Sequence, residues 1–148
     1  MFRTILVGLD GSEKAKKAAR VGFDLAKYYS GSVTLIHVPH DPALEFATGD
    51  VTDHDAGANG LSFDEIEEAG QKILDDGLAI AADMLFDNVK TCMPHGEAAD
   101  EIVQHAEKIG ADLIVTGRRG LSAMSSLVLG STTQQINHRA TCACLSVV

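Results

Sequence analysis

The chain lacks the features that mark secreted or membrane-spanning proteins. It contains no tryptophan, three prolines and three cysteines among 148 residues. So few cysteines argue against a disulfide framework and favour a reducing cytoplasm. No apolar run approaches the ~18–20 residues of a membrane-spanning helix, and Met1–Thr4 lead into a strand-like segment without a signal sequence. We therefore expect a cytoplasmic protein with no membrane insertion.

Positive charge is also scarce. Twelve Lys and Arg stand against 21 Asp and Glu, for a net charge of −9. A chain this acidic repels the phosphate backbone, which argues against general nucleic-acid binding. Most of the acidity lies in residues 38–110, with seventeen acidic and three basic side chains. Two explanations stay open for it, a high-salt cytoplasm and a solvated acidic face.

Short apolar segments alternate with amphipathic stretches along the whole chain. The apolar segments lie at 2–10, 33–38, 89–93, 111–116 and 143–148. This order predicts an α/β fold: a five-stranded open parallel sheet, doubly wound by helices and Rossmann-like. Residues 1–148 are then one domain, in which 39–61 form a long loop of a length that is usually functional or mobile.

Capping residues predict where the helices begin and end. Ser12 is the expected N-cap of the first helix, and Gly31 its left-handed C-terminal residue. Ser62 and Glu65 form a capping box that opens the second helix. The apolar face of that helix is predicted to continue as far as Leu85.

The most distinctive pattern is a run of glycines after the fourth strand, ending in two hydroxyl residues. It reads Gly117-x2-Gly120-x9-Gly130-Ser131-Thr132. Backbone amides without a neighbouring Cβ, at the start of a helix and beside hydroxyl donors, are typical of a phosphate-binding loop. The alternative is that the glycines only permit tight turns.

The predicted topology determines which segments face this run. Ligands of open parallel sheets bind beyond the carboxyl ends of the strands, where the strand order reverses. The end of the first strand near Asp10, the end of the second near Val38 and the turn at Gly117 should therefore meet there.

These segments together resemble the universal stress protein family. The resemblance rests on Ile5–Asp10 followed by Gly11-Ser12, on the strand 111–115, and on the Gly-x2-Gly-x9-Gly-Ser motif. It spans the whole chain, and the glycine motif is that of the ATP-binding branch. It implies bound ATP, with Mg²⁺ held through the phosphates and no direct protein ligand to the metal.

The resemblance also implies roles for individual residues. The backbone of Leu9 and Val38 would flank the adenine, and Asp10 would bind the ribose. Thr116 and Gly117 would lie under the sugar. Gly120, Gly130, Ser131 and Thr132 would hold the phosphates. Arg118 stands where the family commonly has a small residue. The side chains of Arg118 and Arg119 either add phosphate contacts or face solvent, and we expect Arg119 to be the closer of the two.

The expected function is regulatory. The chain has no Walker lysine, no Gly-x-Gly-x-x-Gly after the first strand and no evident general base near residues 117–132. A non-enzymatic ATP-binding protein of the stress response is therefore predicted, and slow ATP hydrolysis is the alternative. The resemblance further implies a homodimer or higher homo-oligomer through the strand 143–148, and a regulated protein partner such as a transporter.

Several residues have simpler interpretations that stay open. Asp10 is either a ribose ligand or only a cap of the first helix, and His37 is predicted to be a satisfied core histidine. Cys142 and Cys144 are either a soft metal site or small buried thiols. The acidic and histidine side chains between His40 and Asp55 match no known metal spacing. A phospho-receiver domain is disfavoured, because the third strand does not end in the aspartate that such a domain phosphorylates.

Overall fold

The computed structural model describes residues 1–40, 62–118 and 130–148. The described strands are β1 Thr4–Gly8, β2 Ser32–Ile36, β3 Val89–Cys92, β4 Leu113–Gly117 and β5 Ala143–Val147. The described helices are α1 Glu13–Tyr29, α2 Phe63–Asp83, α3 Ala98–Ile109 and α4 Ser131–Arg139. The alternating order expected from the sequence is confirmed.

The strands form one parallel sheet in the order β3-β2-β1-β4-β5. β1 is central and pairs with both β2 and β4, with Gly8 opposite Ile36 and Val7 opposite Val115. The chain moves outward from β1 through β2 to β3, then crosses to the other side for β4 and β5. The strand order therefore reverses between β1 and β4, which is where ligands of such sheets bind.

Both faces of the sheet are covered, which explains the unbroken apolar run in β1. Ile5 and Val7 point into a core that α1 and α2 close, whereas Leu6 points into a second core under α3 and α4. All three side chains are fully buried. Because successive residues of a strand face opposite sides, only a strand buried on both faces needs three apolar residues in a row.

Helix ends follow the predicted caps at most positions. The Ser12 hydroxyl accepts a hydrogen bond from the Ala15 N–H at 3.1 Å. Ser62 and Glu65 form the reciprocal capping box, and Gly110 ends α3 with a left-handed φ of 63°. Each cap satisfies backbone groups that the helix cannot pair internally.

Two predicted details of the helix ends are wrong. The left-handed residue after α1 is Ser30, with a φ of 52°, rather than Gly31. Gly31 is required for a different reason, since a Cβ there would lie 2.6 Å from the carbonyl oxygen of Arg3. Leu85 does not belong to the buried face of α2, because the helix has already ended and its side chain is 86% exposed.

Three further observations concern the long loop, the cysteines and the length of the helices. Of the 39–61 segment, only Pro39 and His40 lie within the described residues. In the described ranges the three cysteines are free thiols, and no group of three or more potential metal-binding side chains forms. None of the described helices is both long and apolar enough to cross a bilayer.

Candidate functional site

A cavity of about 470 Å³ opens at the carboxyl edge of the sheet, beside the point where the strand order reverses. Its size lies within the roughly 300–1,000 Å³ of small-molecule sites. Residues at the ends of β1, β2 and β4 line it, together with residues of α1 and of the first two turns of α3 and α4. Its lining residues are Gly8, Leu9, Asp10, Ala15, Val38, His40, Ala98, Ile102, Thr116, Gly117, Gly130, Ser131, Thr132, Thr133 and Ile136.

Sequence reasoning named ten contact residues, and eight of them lie within the described parts of the chain. All eight line this cavity: Leu9, Asp10, Val38, Thr116, Gly117, Gly130, Ser131 and Thr132. They come from three strand ends and one helix start that are far apart in sequence. Arg119 and Gly120 lie outside the described residues. The structure thus brings the eight together, and their contacts to a nucleotide stay a prediction.

Asp10 has a structural role in addition to its place in the cavity. Its Oδ1 accepts a hydrogen bond from the Ser12 N–H at 2.9 Å. This bond closes a tight turn through Gly11, whose φ is 83°. The N-cap of α1 is Ser12 itself, so Asp10 supports the cap and does not replace it. Among the described residues the side-chain hydrogen bonding of Asp10 involves Oδ1, so a ligand hydroxyl would bind at Oδ2.

The two helix starts in the cavity wall differ in charge. The N-cap of α4 is Gly130, which supplies no side-chain acceptor, and the first turn has no acidic residue. By contrast, the Glu97 carboxylate caps α3, and Asp100 and Glu101 follow it. A helix start carries partial positive charge on unpaired N–H groups. The α4 start therefore favours an anion, whereas acidic side chains neutralise the α3 start.

Hydrogen bonds connect β4 to the start of α4. The Thr133 hydroxyl donates to the carbonyl of Gly117 at 3.0 Å, and the Gly130 N–H donates to the carbonyl of Arg118 at 2.9 Å. The Arg118 N–H donates to the carbonyl of Val147 in β5 at 2.7 Å. These bonds fix both ends of the glycine run against the sheet. The Nε of Arg118 is buried and has no hydrogen-bond partner among the described residues.

Sequence reasoning missed most of the apolar wall of the cavity. Ala98 and Ile102 of α3 and Ile136 of α4 line it. Ala98 and Ile102 have the spacing of an apolar helix face, and Ile102 and Ile136 both pack in the second core. A periodic pattern does not distinguish a residue in the core from one at its edge. Only the position of each helix along the sheet makes these side chains cavity residues.

His37 is buried, as expected for a core histidine, with 9% of its surface exposed. Its Nδ1 lies 2.8 Å from the carbonyl oxygen of Leu9, a lining residue of the cavity. The imidazole therefore has a polar partner, which satisfies the requirement for a buried polar group.

Comparison with known proteins agrees with this architecture. The model of the universal stress protein family matches residues 1–147. The universal stress protein YxiE of Bacillus subtilis is 32% identical over 149 residues, with 99% of each chain covered.

Two solved structures show the shared fold. A universal stress protein in complex with cAMP has a TM-score of 0.73 at 23% identity, covering 99% of this chain and 97% of the other. A universal stress protein from Archaeoglobus fulgidus in complex with dAMP has a TM-score of 0.65 at 16% identity, covering 100% and 98%.

Proposed function

Because the chain belongs to the universal stress protein family, we propose that it is an ATP-binding regulatory protein of the stress response. It signals through nucleotide occupancy and self-association. The observation that supports this proposal most is the convergence of all eight described candidate residues on one cavity. The cAMP and dAMP in two structural relatives support an adenine nucleotide as the ligand class.

The chemistry of the cavity fits a nucleotide at both ends. The start of α4 offers backbone N–H groups and the hydroxyls of Ser131 and Thr132, which suit phosphate oxygens. The carboxylate of Asp10 suits sugar hydroxyls, and the apolar wall from α3 suits the faces of a base. Bound Mg²⁺ would neutralise phosphate charge. In the proposed complex it needs no protein ligand.

Binding without turnover is the proposed activity. Asp10 is the one carboxylate among the described lining residues, and its Oδ1 already accepts the Ser12 N–H. In the proposed complex Asp10 binds the sugar. A general base must instead reach the water beside the terminal phosphate. Slow hydrolysis is the alternative activity.

Isothermal titration with MgATP tests the proposal directly. We expect the wild-type protein to bind, and Gly130→Val to raise the Kd at least about tenfold by filling the phosphate end of the cavity. Gly110→Asn is the matched control, since Gly110 ends α3 away from the cavity and asparagine tolerates its left-handed φ.

The outcomes of this titration are distinct. Absence of wild-type binding at millimolar nucleotide would refute the site. Phosphate release measured on the same samples separates the two activities: brisk multiple turnover would favour the enzyme over the regulator.

Self-association is proposed through the edge strand β5. This strand pairs on one side with β4, and its other edge is free for a second copy of the chain within the described residues. Leu145 is 36% exposed, whereas Val147 packs against the first core. We expect Leu145→Lys to shift the mass in light scattering toward a monomer. Tyr28→Lys, which removes an exposed side chain from α1, should not.

The proposal places the protein in the cytoplasm, in agreement with its free thiols. A transporter as the regulated partner follows from the family resemblance alone. Co-purification with and without ATP tests it, and a partner captured equally in both states would argue against control by nucleotide.

A further inference from the structure

The imidazole of His37 continues the contact between β1 and β2 beyond the end of their ladder. The regular pairing ends at Gly8 opposite Ile36. The next residue, Leu9, donates its N–H to the carbonyl of Ile36 at 2.8 Å. The Leu9 carbonyl then lies 2.8 Å from the His37 Nδ1. Leu9, the residue that follows β1, is thus held at its N–H by backbone and at its carbonyl by a side chain.

The chemistry of this contact determines the tautomer of the ring. A carbonyl oxygen only accepts hydrogen bonds, so the Nδ1 of His37 must carry the proton that it donates. In the neutral ring the Nε2 is then unprotonated. The structure therefore assigns the Nδ1–H tautomer to His37.

The ring is also held from the side of α2. A Cβ added at Gly70 would lie 3.0 Å from the Cδ2 of His37 and 2.5 Å from the Sδ of Met93. A larger residue at position 70 would require these side chains to shift, so glycine lets α2 pack directly against the imidazole, and His37 is 9% exposed. The imidazole is therefore confined between the strand ends and the helix, in the orientation that reaches Leu9.

The residues on either side of this hydrogen bond are those of the candidate site. Leu9, Asp10 and Val38 all line the cavity, and Val38 directly follows His37. The peptide plane held through the Leu9 carbonyl is the one that leads into Asp10. The orientation of this peptide therefore affects where the Asp10 carboxylate lies when it accepts the hydrogen bond from Ser12.

We propose that His37 is a positioning residue of the nucleotide site: its Nδ1–H fixes the Leu9–Asp10 peptide so that Asp10 faces the cavity. The inference rests on the proposed function, because the ligand that it serves is the nucleotide. His37 itself contacts protein groups and acts through Leu9 and Asp10.

Two substitutions of similar size separate positioning from packing. His37→Leu fills much of the space and removes the donor, whereas the side-chain amide of His37→Asn places an N–H near the original Nδ1. We expect His37→Leu to raise the Kd for MgATP about tenfold, the effect of losing roughly one hydrogen bond. His37→Asn should recover the affinity to within about threefold of wild type.

His105→Leu is the matched control. His105 is a half-buried histidine of α3, and its Nε2 contacts the Cys92 Sγ at 3.4 Å rather than the cavity. All variants are compared at a temperature where circular dichroism shows them folded. A His37→Leu protein that binds like His105→Leu would overturn the inference and leave the proposed function intact. A wild-type protein that does not bind MgATP would overturn both.

The tautomer provides a second readout, which does not depend on nucleotide. Long-range proton–nitrogen correlation spectra of the wild-type protein should show the neutral His37 ring protonated at Nδ1. A ring protonated at Nε2 alone would remove the donor on which the inference depends, and would overturn it even if His37→Leu weakens binding.

Discussion

Asp10 combines a structural hydrogen bond with a place in the cavity, and two substitutions separate these roles. Asp10→Ala removes the carboxylate that accepts the Ser12 N–H at 2.9 Å, and with it the support of the α1 N-cap. Losing such an acceptor costs about 1–2 kcal/mol of unfolding free energy. Asp10→Asn keeps an oxygen in place, so its unfolding free energy should stay within about 0.5 kcal/mol of wild type.

Nucleotide affinity should respond differently to the same two changes. A hydrogen bond from a ligand hydroxyl to a charged group contributes about 1.5–3 kcal/mol, so Asp10→Ala should raise the Kd for MgATP about 10- to 150-fold. Asp10→Asn makes a neutral and weaker hydrogen bond, and we expect the Kd for MgATP to increase about tenfold. The alanine variant thus loses both stability and affinity, whereas the asparagine variant loses affinity alone.

The assay pairs isothermal titration with urea unfolding on each variant. Asp112→Ala is the matched control, because Asp112 also holds backbone: its Oδ2 accepts the Arg3 N–H at 2.9 Å, and it does not line the cavity. This control should lose stability and keep its affinity. An Asp10→Ala protein with the same profile, less stable but with a Kd within twofold of wild type, would show that Asp10 only supports the helix.

Three further predictions concern stability. Gly31→Ala should lower the unfolding free energy by about 1–3 kcal/mol, because its Cβ meets the backbone of Arg3; an unchanged urea midpoint would contradict the close approach. Leu85→Gly should raise it by about 0.5–1 kcal/mol, because the left-handed φ of 53° is strained and the exposed side chain packs little; a lower midpoint would contradict that explanation. Burial raises the pKa of the Cys92 thiol from 9.0 to about 11, although Lys108 opposes the shift. The thiol of the unfolded chain therefore ionises at a lower pH than the thiol of the folded chain. As a result, the free energy of unfolding keeps its full value below pH 9 and falls as the pH rises through about 11. Between pH 8 and 11 the melting temperature of Cys92→Ala should therefore fall less than that of the wild-type protein. Equal slopes for the two proteins would refute this role of the thiol.

The fold follows from patterns that act over short distances. Alternation of apolar segments and amphipathic stretches is enough to predict a doubly wound parallel sheet, and Ile5–Val7 already indicate a strand covered on both faces. Helix caps are equally local, since the Ser62–Glu65 box depends on atoms three residues apart. One wrong detail involves distant backbone: Gly31 is required by its close approach to Arg3, which lies far from it in sequence.

The residues of the candidate site also differ in how far the sequence predicts them. Glycines, hydroxyls and the topology of parallel sheets placed Asp10, Val38 and the run from Gly117 at one edge, because ligands bind at the carboxyl ends of the strands. The roles of single residues such as Leu9 and Thr116 came from the family resemblance. The apolar wall at Ala98 and Ile102 could not be named, since its periodicity is that of any packed helix.

Local patterns in the amino-acid sequence were enough to establish the class of fold, the chemistry at the strand ends and the family to which they belong. They did so because strand periodicity, capping and glycine spacing are encoded by neighbouring residues. The contact of His37 with Leu9, and the sharing of Asp10 between the Ser12 turn and the cavity, became visible only in the folded chain. Such contacts depend on how closely a helix and two strand ends approach one another, and packing of the whole chain sets that distance.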